Sequence, residues 1–80
     1  MEEVEKRLEK CFSSVFPEIP PEKIRNADAR TNSKWDSIAQ VTLISLIGEE
    51  FGLSMDFGEF ADACSFPEIL QILSSRLRQN

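Results

Sequence analysis

The chain has 80 residues, 41% of them hydrophobic and 29% charged, with a formal net charge of -5 and no histidine. A chain of this length makes one domain, 1–80, and buries only about 60% of the surface that its unfolded form exposes, which leaves little room for an enclosed active site. The apolar fraction is too high for a disordered chain, no apolar run approaches the ~18 residues of a membrane span, and the cysteines, Cys11 and Cys64, make neither a disulfide framework nor, without histidine, a usual zinc set.

The charge is unevenly spread. Residues 1–34 carry seven acids and seven bases, residues 35–75 carry seven acids and no base, and only Arg76 and Arg78 follow. The negative excess therefore lies in the second half of the chain, which argues against a nucleic-acid ligand and for partners with basic docking surfaces. Met1-Glu2-Glu3 places acid where a secretory signal would place base and then an apolar run, so a reducing, cytoplasmic setting is expected.

Val4, Leu8, Cys11, Phe12, Val15 and Phe16 recur at spacings of three and four, which predicts an amphipathic helix over about 2–15, stopped by Pro17. The stretch 17–35 holds Pro17, Pro20, Pro21, Asn26, Asp28, Asn32 and Ser33 and reads as a long first loop. Pro21-Glu22-Lys23-Ile24 suits a single helical turn within it, and Ile19, Ile24 and Ala27 are its expected anchors. A second helix begins at Asp36-Ser37, continues through Ile38, Val41, Leu43, Ile44, Leu46, Ile47 and Phe51, and ends at Gly52.

Two further starts carry capping boxes. Asp56 with Glu59, flanked by Met55 and Phe60 as a hydrophobic staple, predicts a short helix over 57–63. Ser65 with Glu68 precedes Ile69, Leu70, Ile72, Leu73 and Leu77, which predict a last helix ending near Arg78 with its bases where the helix dipole favours them. No strand alternation is present. The expected fold is all-α: a small four-helix bundle of three main helices and one short helix, with a long first loop.

An enzyme of this size would need a base beside a nucleophile, and the chain has no histidine, no tyrosine and no lysine beyond Lys34. Ser37, Cys11 and Cys64 lack an activating partner, so no catalysis is expected. Asp28, Asn32 and Asp36 do not have the spacing of a calcium loop, no metal site is expected, and both cysteines read as small buried apolar groups. Ser37 stands out because it puts a hydroxyl at the first turn of the most apolar helix, directly after the long loop. It has two readings: a capping box with Gln40, or a point of phosphodiester attachment facing the unpaired amides and positive end of the helix.

The run Asp36-Ser37-Ile38, Val41, Leu43-Ile44, Ile47, Glu49-Glu50-Phe51 and Met55 is spaced as in the second helix of acyl carrier proteins. The chain resembles that family over nearly its whole length, with Asp-Ser-Ile where Asp-Ser-Leu is commoner. The resemblance implies that Ser37 receives a covalent 4'-phosphopantetheine arm from coenzyme A. The thiol of that arm carries acyl, aminoacyl or polyketide intermediates as thioesters. It further implies a phosphopantetheinyl transferase and acyl-loading, synthase or transferase enzymes as partners. Asp36, Ile38, Val41, Glu49 and Glu50 would serve their recognition, and Asp36 would assist the transferase and its metal.

In such a bundle the core is expected to part and shelter a fatty chain lined by Leu46, Ile47, Phe60 and Ala63, and the default state is a monomer. Trp35 stands where glycine or leucine is common, and has two readings, a lid over the apolar helices, which is preferred, or a contact with the arm. The acids usual in the first half of the family's second helix are absent, with Gln40, Thr42, Ser45 and Gly48 in that region and only Asp36, Glu49 and Glu50 remaining, which implies specialised partners and a dedicated pathway. Gly48 costs a helix about 1 kcal/mol relative to alanine, which points to close packing or a partner contact there. The alternative is an unmodified four-helix interaction module in which Ser37 only caps a helix.

Overall fold

Three α-helices and one 3-10 helix account for the regular structure of residues 2–78, which are those the computed structural model describes. In chain order they are α1 (Glu2–Val15), the 3-10 helix Pro21–Asn26, α2 (Ser37–Phe51) and α3 (Phe66–Arg78). Among the described residues no strand occurs beyond one isolated antiparallel bridge between Asp28 and Ser65. The result is a compact all-α domain with a radius of gyration of 11.5 Å, close to the ~12 Å expected for a single domain of this length. No helix among the described residues is long and apolar enough to cross a membrane. Met1, the first residue of the acidic opening, lies outside the described residues.

The helices form where apolar spacing and caps agree. α1 buries Leu8, Cys11 and Phe12 and leaves Ser13 and Ser14 exposed, and Phe16, directly after it, is also buried. α2 buries Leu43, Ile44 and Ile47, and α3 buries Phe66, Ile69 and Leu73 against them in one core. Arg7 joins α1 to the end of α2: its Nε donates to Glu50 Oε2 at 2.8 Å and its guanidinium lies 4.4 Å from the Phe51 ring centre. Both partners of that ion pair are partly solvent-exposed, so water screens it and it adds little. Burial of the apolar faces dominates.

The long loop is ordered by a few anchors. Ile24 in the 3-10 helix and Ala27 after it are buried, Ile19 is half-buried, and two bonds flank the bridge. Ala29 N–H donates to the Cys64 carbonyl at 2.7 Å and Phe66 N–H donates to the Ala27 carbonyl at 3.0 Å. Arg30 grips the Asp28 carboxylate through Nε at 2.9 Å and Nη2 at 2.7 Å. These bonds hold that carboxyl down at about 2.

The short helix expected over 57–63 is instead a run of turns. Asp56 does not cap with its carboxylate on Glu59; Oδ1 accepts from Gly58 N–H at 2.9 Å, a local turn that competes with helix initiation. The bonds that follow span three residues, from Glu59, Phe60, Ala61 and Ala63 back to Asp56, Phe57, Gly58 and Phe60. Gly58 disfavours a further helical turn, and the Glu59 carboxylate is drawn away to Arg76 Nη1 at 3.0 Å. The fourth helical piece of the fold is therefore the 3-10 helix in the first loop.

The box at α3 forms with a shift of one residue. Ser65 Oγ accepts from Glu68 N–H at 3.3 Å, but the Glu68 carboxylate returns to Cys64 N–H at 3.2 Å. That bond, first among the causes, holds the Glu68 carboxyl below its usual value.

Gly48 is buried, and a Cβ there would stand 2.7 Å from Met55 Cγ and 3.0 Å from the Leu53 carbonyl. The close packing read from the sequence is present. Gly48→Ala should therefore lower the thermal midpoint, because overpacking costs about 1–3 kcal/mol and outweighs the ~1 kcal/mol gained in helix propensity. A raised midpoint in a thermal scan would refute this. The helix closes at Gly52, whose φ of 65° is the left-handed conformation that favours glycine.

Candidate functional site

α2 begins with Asp36 outside the helix and Ser37 as its first residue. Asp36 Oδ1 accepts from Ala39 N–H at 2.9 Å and the Asp36 carbonyl accepts from Gln40 N–H at 2.9 Å. The cap expected of Ser37 and Gln40 is thus supplied by Asp36, one residue earlier. Ser37 is exposed, and its hydroxyl makes no hydrogen bond among the described residues. The amides of Ser37 and Ile38 belong to the first turn, where no intrahelical acceptor exists.

Gln40 has a different task. Its Oε1 accepts from Trp35 Nε1–H at 2.6 Å, and its Nε2 donates to the carbonyls of Phe60 at 2.9 Å and Ala63 at 3.2 Å. Trp35 is buried, with its ring 5.5 Å from Phe12 in an edge-on arrangement and 5.3 Å from Phe16. The lid expected at Trp35 is therefore anchored on α1 by packing and on α2 by a hydrogen bond.

Beside Ser37 lies an open groove of about 460 Å³, lined mainly by Trp35, Val41, Ile44, Phe57, Ala61 and Ala63, with Asp36, Ser37 and Gln40 at its polar side. Ile38 at 78% exposure, Val41 at 52% and Phe57 at 46% are the large apolar side chains left open to solvent among the described residues, and Val41 and Phe57 border the groove. Ser37 and Val41 stand one helical turn apart on α2, so the hydroxyl and the apolar patch share a face.

Of the four side chains expected to line a sheltered chain, Ala63 reaches this groove. Ile47 and Phe60 are closed within the core. Leu46 lies on the other side of α2, in a cleft of about 270 Å³ with Lys10, Cys11, Ser14, Glu49 and Glu50. The structure thus separates the four rather than bringing them to one cavity.

The recognition set divides in the same way. Asp36, Ile38, Val41 and Glu49 are exposed. Glu50 is occupied by Arg7, whose hydrogen bond is the first cause holding its carboxyl below the usual value. The cysteines differ as well: burial, followed by Glu50, pushes the Cys11 thiol up to about 11. Cys64 is only half-buried and borders the groove, with Sγ 3.8 Å from Glu68 Oε1, so it is not the buried apolar group expected.

Phe57, Ala61 and the bonding role of Gln40 were not singled out by the sequence reading. One signal was available: Gln40 shares a helical stripe with Ile44 and Ile47, and a lone amide on a buried stripe requires partners. Comparison of the chain with protein-family models, curated proteins and solved structures found no match.

Proposed function

We propose that this chain is a carrier protein of the acyl-carrier type, with Ser37 as the attachment point of a 4'-phosphopantetheine arm transferred from coenzyme A. The observation that carries this reading is the free hydroxyl of Ser37 at the first turn of α2, beside an apolar groove, while Asp36 performs the capping. The alternative, an unmodified interaction module in which Ser37 caps the helix, is less favoured because Asp36 supplies that cap.

The surroundings fit the group. An exposed hydroxyl gives a modifying enzyme access, and first-turn amides with the positive helix end favour a phosphodiester's charge. Bound there, the arm would supply a terminal thiol that carries acyl, aminoacyl or polyketide groups as thioesters. Ile38 and Val41 offer apolar contact to a transferase or a loading or synthase enzyme, and Asp36 and Glu49 offer acid to its basic surface. The absence of any base between residues 35 and 75 leaves that steering unopposed along the segment.

The test is intact mass after incubation with coenzyme A and broad-specificity phosphopantetheinyl transferases. The wild type should gain one phosphopantetheine and Ser37→Ala none. No gain with several transferases, or an undiminished gain in Ser37→Ala, would overturn the assignment. Ser37→Ala should keep the unfolding free energy within about 0.5 kcal/mol of wild type, as expected for an exposed residue without partners.

A further inference from the structure

The groove beside Ser37 and the core beneath it are separated by hydrogen bonds. Gln40 spends both amide protons on the carbonyls of Phe60 and Ala63, and its oxygen accepts the indole N–H of Trp35. On one side of this network Trp35, Val41 and Ala61 face an open groove. On the other, Ile47 and Phe60 are wholly buried.

We propose, resting on the carrier reading of Ser37, that an acyl group carried there lies in the surface groove against Trp35. Gln40 is the positioning residue that latches residues 57–63 onto α2 and keeps the acyl chain out of the core.

Two arguments favour the groove over the core. Entry between α2 and residues 57–63 would free two carbonyls and an indole N–H, and an alkyl chain has nothing to offer them in exchange. Lying in the groove breaks none of these bonds and covers apolar side chains that are already open to solvent, Val41 and Phe57 among them. The groove's ~460 Å³ falls in the range of small-ligand sites, about 300–1,000 Å³.

The experiment loads the chain from carbon-13-labelled octanoyl coenzyme A, checks the mass, and records isotope-filtered NOEs from the octanoyl protons. NOEs to Trp35, Val41 and Ala61 without NOEs to Ile47 or Phe60 are expected, with a shift of the emission of Trp35, the single tryptophan. NOEs to Ile47 and Phe60, or none to the protein, would overturn the inference while leaving the carrier reading intact. Absence of any mass gain would remove both.

In Gln40→Leu, which keeps the bulk and deletes the latch, the octanoyl NOEs should extend to Phe60. A loaded, folded Gln40→Leu with wild-type NOEs would deny Gln40 its role.

Discussion

Phe12→Ala should lower the unfolding free energy by about 3–5 kcal/mol, the cost of removing a fully buried aromatic ring from a core that closes only partly around the cavity. Phe12 has no exposed surface, and its ring stands 5.0 Å from Phe66 in α3, 5.5 Å from Trp35 and 6.2 Å from Phe16. It is therefore where α1, the end of the long loop and α3 meet. At roughly 0.05–0.15 kcal/mol per residue, a domain of this size has about 4–12 kcal/mol in all, so the variant retains little margin. Urea titration followed by far-UV circular dichroism gives the number. Phe57→Ala, at 46% exposure, is the control and should cost within about 1 kcal/mol. Equal losses in the two variants would show that the ring cluster is not the centre of the core.

The parts of the fold legible in the sequence are those in which local signals and burial agree. α1 ends where Pro17 stops the Val4–Phe16 stripe, and α2 ends where Gly52 adopts a positive φ, as the composition requires. The bend at 57–63 is not legible in the sequence because Asp56 has two ways to satisfy backbone amides. As a helix cap it would serve residue 59; as a turn acceptor it serves Gly58, and the glycine tips the choice. Three-residue bonds then carry Phe60 into the core without an α-helix.

The candidate site shows the same division. That Ser37 opens α2 was readable from its place before an apolar stripe, but which neighbour caps the helix was not. Asp36, Ser37 and Gln40 all have side chains able to bond backbone groups, and the outcome depends on Trp35. With its ring packed on Phe12 and Phe16, Trp35 presents its N–H to Gln40 and so removes Gln40 from the cap. Tertiary packing of an aromatic ring thus engages the side chain that would have reached back to the helix end. The Ser37 hydroxyl is without a partner for a different reason: the Gln40 N–H that it would bond as a cap donates to the Asp36 carbonyl, with Ser37 already inside the helix.

Gln40→Leu should cost about 2–4 kcal/mol, because it leaves the Trp35 indole N–H and the Phe60 and Ala63 carbonyls without their donor or acceptor at nearly unchanged volume. Fully buried, three such groups would cost more, but they border an open groove and water reaches part of the network. The share belonging to the indole can be isolated. Trp35→Phe removes that N–H while keeping an aromatic ring against Phe12 and Phe16, and the double variant with Gln40→Leu closes a thermodynamic cycle. Each single substitution breaks the Trp35–Gln40 bond, so the two costs should fall short of additivity by about 0.5–1.5 kcal/mol, the net value of one hydrogen bond. Gln40→Glu adds a second check, since a carboxylate keeps an acceptor for the indole but places charge against two carbonyls. It should restore the Trp35 emission of wild type without restoring its stability. Strict additivity in the cycle would mean that the indole and the amide act independently, and that residues 57–63 are held on α2 by apolar packing alone.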